Sequence, residues 1–244
     1  MEFIVNYKII ISPTIDELSE QFTNILIDEL SKCKNYFHIA LSGGSTPKFL
    51  FKYLSKKYQT KINWSKIKFF WGDERCVPPD HDESNYKTTY DLLFSKIKIP
   101  EENIFRICSE CDPDEIAVNY SNVISKNVPS RDNLPEFDLI LLGLGEDGHT
   151  ASIFPNSLSL FNDNKICAVS EHPVTHQKRI TITGKTINNA KKIIFLVVGE
   201  NKSAIVDIIL NRKNNFEKLP AYYVNPNHGE LIWLMDKTAS RLIT

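Results

Sequence analysis

The sequence predicts an α/β fold built on a doubly wound, mostly parallel sheet flanked by helices, and three observations predict it. Apolar runs such as Phe37 to Leu41, Leu139 to Leu142 and Ile193 to Val198 are nearly unbroken, as expected of strands buried on both faces of a parallel sheet. Segments with helical apolar spacing alternate with them. Finally, glycine-rich or charged turns follow several strands directly: SGGST after Leu41, GDER after Trp71 and GLGEDGH after Leu142. In open α/β sheets the carboxyl ends of strands are where ligands bind.

The 244 residues suffice for a substantial core, in one large α/β domain or two small ones. No internal repeat or low-complexity tract divides the chain. With 29 basic and 30 acidic residues and no basic run, a polyanionic partner such as nucleic acid is not favoured. Apolar runs reach only about six residues, too short for a transmembrane helix, so no membrane partner is expected. The start MEFIVNYKII lacks the basic opening and cleavage site of a signal peptide. Five cysteines, an odd number, suit reduced thiols and a cytoplasmic location better than a disulfide framework. Cys108 and Cys111 form one C-x-x-C, but Glu110 and Asp112 flank it and disfavour a thiolate. No second cysteine pair completes a zinc site, so no metal is expected there.

Taken in order, Ser12 to Cys33 spaces Leu18, Phe22, Ile25, Leu26 and Leu30 as an amphipathic helix. Phe37 to Leu41 is a short strand, and SGGSTP leads from it into the helix bearing Leu50 and Leu54. Ser45 or Thr46 is the expected N-cap, and Pro47 suits the first turn. Such a turn gathers backbone N–H groups, two hydroxyls and the positive end of a helix at one point, where a phosphate can bind. The alternative is a well-capped tight turn that binds nothing. The turn lacks the lysine pattern of a P-loop, which argues against a nucleoside triphosphatase.

Ile67 to Trp71 reads as the next strand and delivers Gly72, Asp73, Glu74 and Arg75 to the same edge. Solvent exposure is the expected state of Glu74. Asp82 or Ser84 is the expected cap of a helix through Tyr86, Tyr90 and Leu93. Asn103 to Ile107 reads as a strand and Pro113 to Ile124 as a helix. After the 137–155 stretch come strands at Ile166 to Ser170 and Arg179 to Thr183, then a short helix at Thr186 to Ala190. The apolar strand Ile193 to Val198 leads to a helix with Lys202 in its first turn. A lysine there opposes the helix dipole, so either a bound anion explains it or it is an ordinary solvated lysine. Glu230 to Met235 and Lys237 to Ile243 read as a last strand and helix.

The stretch FDLILLGLGEDGHTASIFP concentrates three glycines, two carboxylates and His149 after a buried strand. Gly143, Gly145 and Gly148 are expected to take backbone conformations closed to residues with a Cβ. GLGEDG also satisfies G-x-G-x-x-G, with Glu171 where a ribose-binding acid would be sought. Two facts argue against a dinucleotide. Glu146 and Asp147 would repel its pyrophosphate, and Pro155 leaves no room for the long helix that should hold it.

One polar strand end is common, but five in one chain point to a site. The motifs LSGGSTP, FFWGDERCVP with SNY after it, LLGLGEDGHTASIFP, RIT with the later GENKSA, and GELIWLMD cover nearly the whole chain. In this order they resemble the 6-phosphogluconolactonases. The resemblance implies a single domain over 1–244 of the sugar-phosphate isomerase and deaminase type. It also implies hydrolysis of 6-phosphoglucono-δ-lactone to 6-phosphogluconate, without metal or cofactor, by a monomer or weak homodimer. On that reading His149 is the general base, Asp147 supports its imidazole, and Arg75 holds substrate or stabilises the oxyanion. Ser42, Gly43, Gly44, Ser45 and Thr46, with Asp73, Arg179 and Lys202, would bind the sugar phosphate.

The nearest rival is glucosamine-6-phosphate deaminase. The resemblance implies a shared fold, phosphate turn and aspartate-glycine-histidine motif, with a deaminase glutamate where this chain has Phe154 and an aspartate matching Asp73. Arg75 stands where deaminases tend to have tyrosine. A sugar-phosphate sensor without turnover is the other alternative, and it would not need a titratable base such as His149.

Overall fold

The computed structural model describes residues 7–243, so part of the amino-terminal stretch read for a targeting signal lies outside the described residues. Six strands form a wholly parallel sheet. They are β1 (Tyr7–Ser12), β2 (Phe37–Leu41), β3 (Ile67–Trp71), β7 (Leu139–Leu142), β10 (Lys192–Val197) and β11 (Glu230–Asp236), in the order β1-β11-β10-β7-β2-β3. The chain leaves β2 towards β3, then returns to place β7 on the other side of β2. A crevice therefore opens at the carboxyl ends of β2 and β7, the position where successive connections diverge.

Helices cover the sheet for reasons visible locally. In α1 (Ile15–Lys32) the Thr14 hydroxyl accepts from the Glu17 N–H, and Leu18, Phe22 and Leu26, one turn apart, are buried. In α4 (Pro113–Asn127) the Asp112 carboxylate caps the first turn, and proline stands where its missing N–H costs nothing. The helices α2 (Ser45–Lys57), α3 (Asn85–Leu92), α5 (Gly184–Asn188) and α6 (Ser203–Leu210) follow strand ends or turns. One contiguous hydrophobic cluster runs from Leu18 to Ala239. Phe195 and Trp233, register partners on β10 and β11, stack at 4.2 Å within it. Each large side chain buried this way contributes roughly 1.5–3 kcal/mol.

Three strands depart from the parallel arrangement. β4 (Asp73–Arg75), β8 (Cys167–Glu171) and β9 (Lys178–Ile182) make an antiparallel sheet in the order β4-β9-β8. The chain crosses from β3 into β4 at Gly72, whose N–H donates to the Leu41 carbonyl while its own carbonyl accepts from Ile182. A minor two-residue ladder pairs β5 (Ser130–Arg131) with β6 (Leu134–Pro135).

Two expected elements are corrected. Asn103 to Ile107 is not a strand, since only Ile104 bridges to Phe69 after a single 3-10 turn at Glu101–Asn103. Residues 237–243 form turns, not a helix, held at their start by Asp236 accepting from Thr238 and Ala239. Ser84 caps α3, accepting from the Lys87 N–H.

Candidate active site

The crevice at β2 and β7 is lined by residues from six separate segments. Ser42 and Gly43 follow the end of β2 at Leu41, and α2 begins at Ser45 after Gly44. The N-cap is Gly44, not Ser45 or Thr46, because the chain needs φ +98° there and glycine takes it without strain. Ser45 and Thr46 are thus the first helical residues, with their N–H groups among those a helix leaves unbonded. All five residues of the turn line the cleft.

The 143–149 loop supplies the opposite wall. Only Gly148 of its three glycines has a left-handed φ, +79°. Gly145 is required by space, because a Cβ there would stand 2.1 Å from His149 Nδ1. Gly143 meets neither constraint, which corrects the uniform expectation for the three. The loop closes through Gly145 N–H to the His149 carbonyl, and Thr150 Oγ1 donates to the Gly143 carbonyl. Ala151, also lining the cleft, has φ +47°. A residue with a Cβ held there stores about 1–3 kcal/mol of strain.

His149 and Asp147 are joined directly. Asp147 Oδ1 lies 2.5 Å from His149 Nδ1 and also accepts the His149 N–H at 3.1 Å. Burial would raise the Asp147 carboxyl, but the hydrogen bonds and charge of His149 outweigh it and hold the carboxyl below its ordinary range. Asp147 itself does not line the cleft and reaches it through His149. With Nδ1 committed to the carboxylate, Nε2 is the ring nitrogen left for chemistry. The imidazole rests on the ring of Phe154, 4.8 Å away and fully buried.

Arginines converge from the antiparallel sheet. Arg75 and Arg179 are register partners on β4 and β9. Arg75 donates through Nη1 to the Glu83 carbonyl, and the Arg179 guanidinium lies over Phe154 at 5.6 Å. The buried Nε atoms of both have no hydrogen-bond partner among the described residues. Burial and then the neighbouring Arg75 push the Arg179 pKa down, against the pull of Asp73, Glu83 and Glu74. Lys202 stands at the start of α6 and reaches the cleft, 4.0 Å from Glu146 Oε1. Asp73 is buried with Oδ2 accepting from Ser152 Oγ at 2.6 Å. No group of three or more candidate metal ligands occurs among the described residues.

Glu74, expected in solvent, is 1% exposed. Its carboxylate accepts backbone N–H groups from Arg75, Asn85 and Tyr86, and the Ser84 hydroxyl. Burial pushes its pKa up and those donors oppose it. Leu144 and Ala151 line the cleft without having been read as site residues, and so does Asn85. Its signal was the SNY that accompanies WGDER, which carried a likeness but no chemistry. Glu171, the acid a dinucleotide would need, instead pairs on β8 with Lys178 and His176.

The pattern describing glucosamine-6-phosphate isomerases and 6-phosphogluconolactonase matches residues 13–233. A 6-phosphogluconolactonase from Haemophilus influenzae is 40% identical over 230 residues, covering 94% of this chain and 95% of that one. Among solved structures, a protein called devB superposes with a TM-score of 0.92 at 38% identity, covering 98% of this chain and 100% of the other. The 6-phosphogluconolactonase of Trypanosoma brucei superposes with a TM-score of 0.89 at 27% identity, with the same coverage.

Proposed function

The chain belongs to the family of glucosamine-6-phosphate isomerases and 6-phosphogluconolactonases, and we propose that its reaction is hydrolysis of 6-phosphoglucono-δ-lactone to 6-phosphogluconate. The family name spans two chemistries, and one observation favours hydrolysis. Phe154, fully buried against His149, fills the place where the resemblance puts the deaminase glutamate. Moving a proton between carbons needs a further acid or base beside the histidine. Hydrolysis does not, and an apolar ring there serves to seat the imidazole.

His149 Nε2 takes a proton from water as the water oxygen forms its bond to the lactone carbonyl carbon. Asp147 holds the opposite nitrogen protonated, which fixes the tautomer and supports the imidazolium. The tetrahedral oxyanion forms beside Arg75. The bond from carbon to ring oxygen then breaks, and the imidazolium returns its proton to that oxygen. The product carboxylic acid ionises, releasing one proton per turnover.

The substrate phosphate is assigned to the Gly43–Thr46 turn with Arg179 and Lys202, and Asp73 to a sugar hydroxyl. These charge-assisted contacts fix the far end of the sugar and so position the carbonyl. Arg179→Ala and Lys202→Ala should each raise KM by about tenfold with a smaller change in kcat. No described helix is long and apolar enough to cross a membrane. The odd number of cysteines, which suits reduced thiols, is what supports a cytoplasmic location.

The deciding experiment offers freshly prepared 6-phosphoglucono-δ-lactone beside glucosamine 6-phosphate and records acid and ammonia release. Acid release above the spontaneous background without ammonia is the expected result. Ammonia release would assign deaminase chemistry, and neither product would leave a binding protein.

A further inference from the structure

We propose that Glu74 is a positioning residue for the phosphate turn, its buried carboxylate fixing the start of α3 and, through Asn85, the Gly43–Thr46 segment. The inference rests on the reading that this turn holds the substrate phosphate. Between Arg75 and Asn85 the chain makes an irregular excursion over 76–84, and one carboxylate grips both of its ends. Glu74 Oε1 accepts from Arg75 N–H at 2.8 Å and Asn85 N–H at 2.8 Å. Oε2 accepts from Tyr86 N–H at 2.9 Å and Ser84 Oγ at 3.1 Å.

The Asn85 and Tyr86 N–H groups belong to the first turn of α3, where a helix leaves them unbonded and where negative charge is favoured. An apolar side chain could fill the same volume. Only a pair of acceptor oxygens satisfies four converging donors in a site closed to water.

Asn85 carries the effect onward. Its Nδ2 donates to the Asp73 carbonyl at 2.9 Å, and its carboxamide occupies the space a side chain on Gly43 would need. A Cβ at Gly43 would come 1.8 Å from Asn85 Oδ1. The carboxamide is therefore wedged between β4 and the glycine turn. A shift at the start of α3 must move the turn, while His149 and Asp147 sit on a different loop with no bond to this one. Glu74 should accordingly govern binding of the phosphorylated end and leave the proton-transfer groups in place.

The test is Glu74→Gln, which replaces one acceptor oxygen with an amide that faces donors. KM for 6-phosphoglucono-δ-lactone should rise about tenfold, with kcat within about threefold of the parent. Turnover of unphosphorylated glucono-δ-lactone should stay within about twofold. In an Asn85→Ala background Glu74→Gln should add less than about twofold, because both changes act through one contact. A KM that does not move, or costs that multiply independently, would overturn the proposal.

If Glu74→Gln lacks a cooperative melt, Ser84→Ala keeps the carboxylate but removes its hydroxyl donor together with the cap on the Lys87 N–H, loosening the same start of α3. It should raise KM about twofold to threefold and be silent over Asn85→Ala. No rise, or an independent one, overturns the proposal equally. Lys202→Ala and Arg179→Ala separate the two levels. If neither raises KM, the phosphate assignment fails. If both do and Glu74→Gln does not, the positioning role alone fails.

Discussion

One histidine–aspartate pair lies at the amino ends of β2 and β7 and another in the loop after the carboxyl end of β7, and on the proposed mechanism the same chemistry serves opposite purposes. At the amino ends, His38 Nδ1 lies 3.1 Å from Asp138 Oδ2, which also accepts the His38 N–H at 2.8 Å. Lys191 takes the other oxygen at 2.8 Å. The imidazole is 6% exposed and tilts against Phe70. At the carboxyl ends, His149 and Asp147 approach to 2.5 Å, with the aspartate side chain 44% exposed and no lysine or arginine paired with it among the described residues. Beside that imidazole lie a glycine turn and two guanidinium groups with unpartnered Nε atoms. On the proposed mechanism the carboxyl-end pair acts because one ring nitrogen is left to the cleft and Arg75 stands beside the developing charge. Where the carboxylate is fully used by protein donors, the pair is a clamp.

The largest expected effect breaks the carboxyl-end pair. His149→Ala should lower kcat by about 10²-fold or more with an unchanged melting profile, measured by acid release against the uncatalysed background. Next comes the amino-end pair, where Asp138→Asn leaves His38 without its anion and Lys191 with only Glu136, 3.8 Å away. It should cost about 1–3 kcal/mol of unfolding free energy in denaturant titration, with kcat per folded molecule unchanged. A smaller effect falls on Asp147→Asn, expected to lower kcat about tenfold while leaving KM near the parent value.

The acid dependence of stability sharpens the contrast. Burial would raise the Asp138 carboxyl, but His38 and Lys191 hold it below its ordinary value. A carboxyl depressed on folding stabilises fully above its unfolded value and loses that contribution as pH falls through the folded one. The stability gap between parent and Asp138→Asn should therefore be widest near neutrality and narrow below about pH 4. A gap that widens with acid would reverse the assignment.

Much of this was legible in the sequence because it is locally determined. Unbroken apolar runs gave the parallel strands, Ser84 was one of the two caps expected for its helix, and the glycine turns marked the strand ends. What escaped depends on partners far along the chain. RITIT and ICAVS read like any other strands, and nothing local says that they form an antiparallel sheet with DER after the chain turns at Gly72. Glu74 read as a surface charge because its donors Asn85 and Tyr86 lie in the next helix. Gly44 rather than Ser45 caps α2 because φ at that position, not hydroxyl chemistry, decides the turn. Asn85 offers no reactive group, and its place against Gly43 follows only from the packing of α3 on the turn.

Imidazole rescue tests the division of labour between the two pairs most directly. His149→Ala and His38→Ala are assayed with 6-phosphoglucono-δ-lactone under rising free imidazole, each corrected for what imidazole does alone. His149→Ala should start near background and gain an enzyme-dependent rate that climbs with imidazole, while folded His38→Ala turns over like the parent and gains nothing. A His149→Ala enzyme within about tenfold of the parent before any imidazole is added would contradict the assignment of His149 as the base.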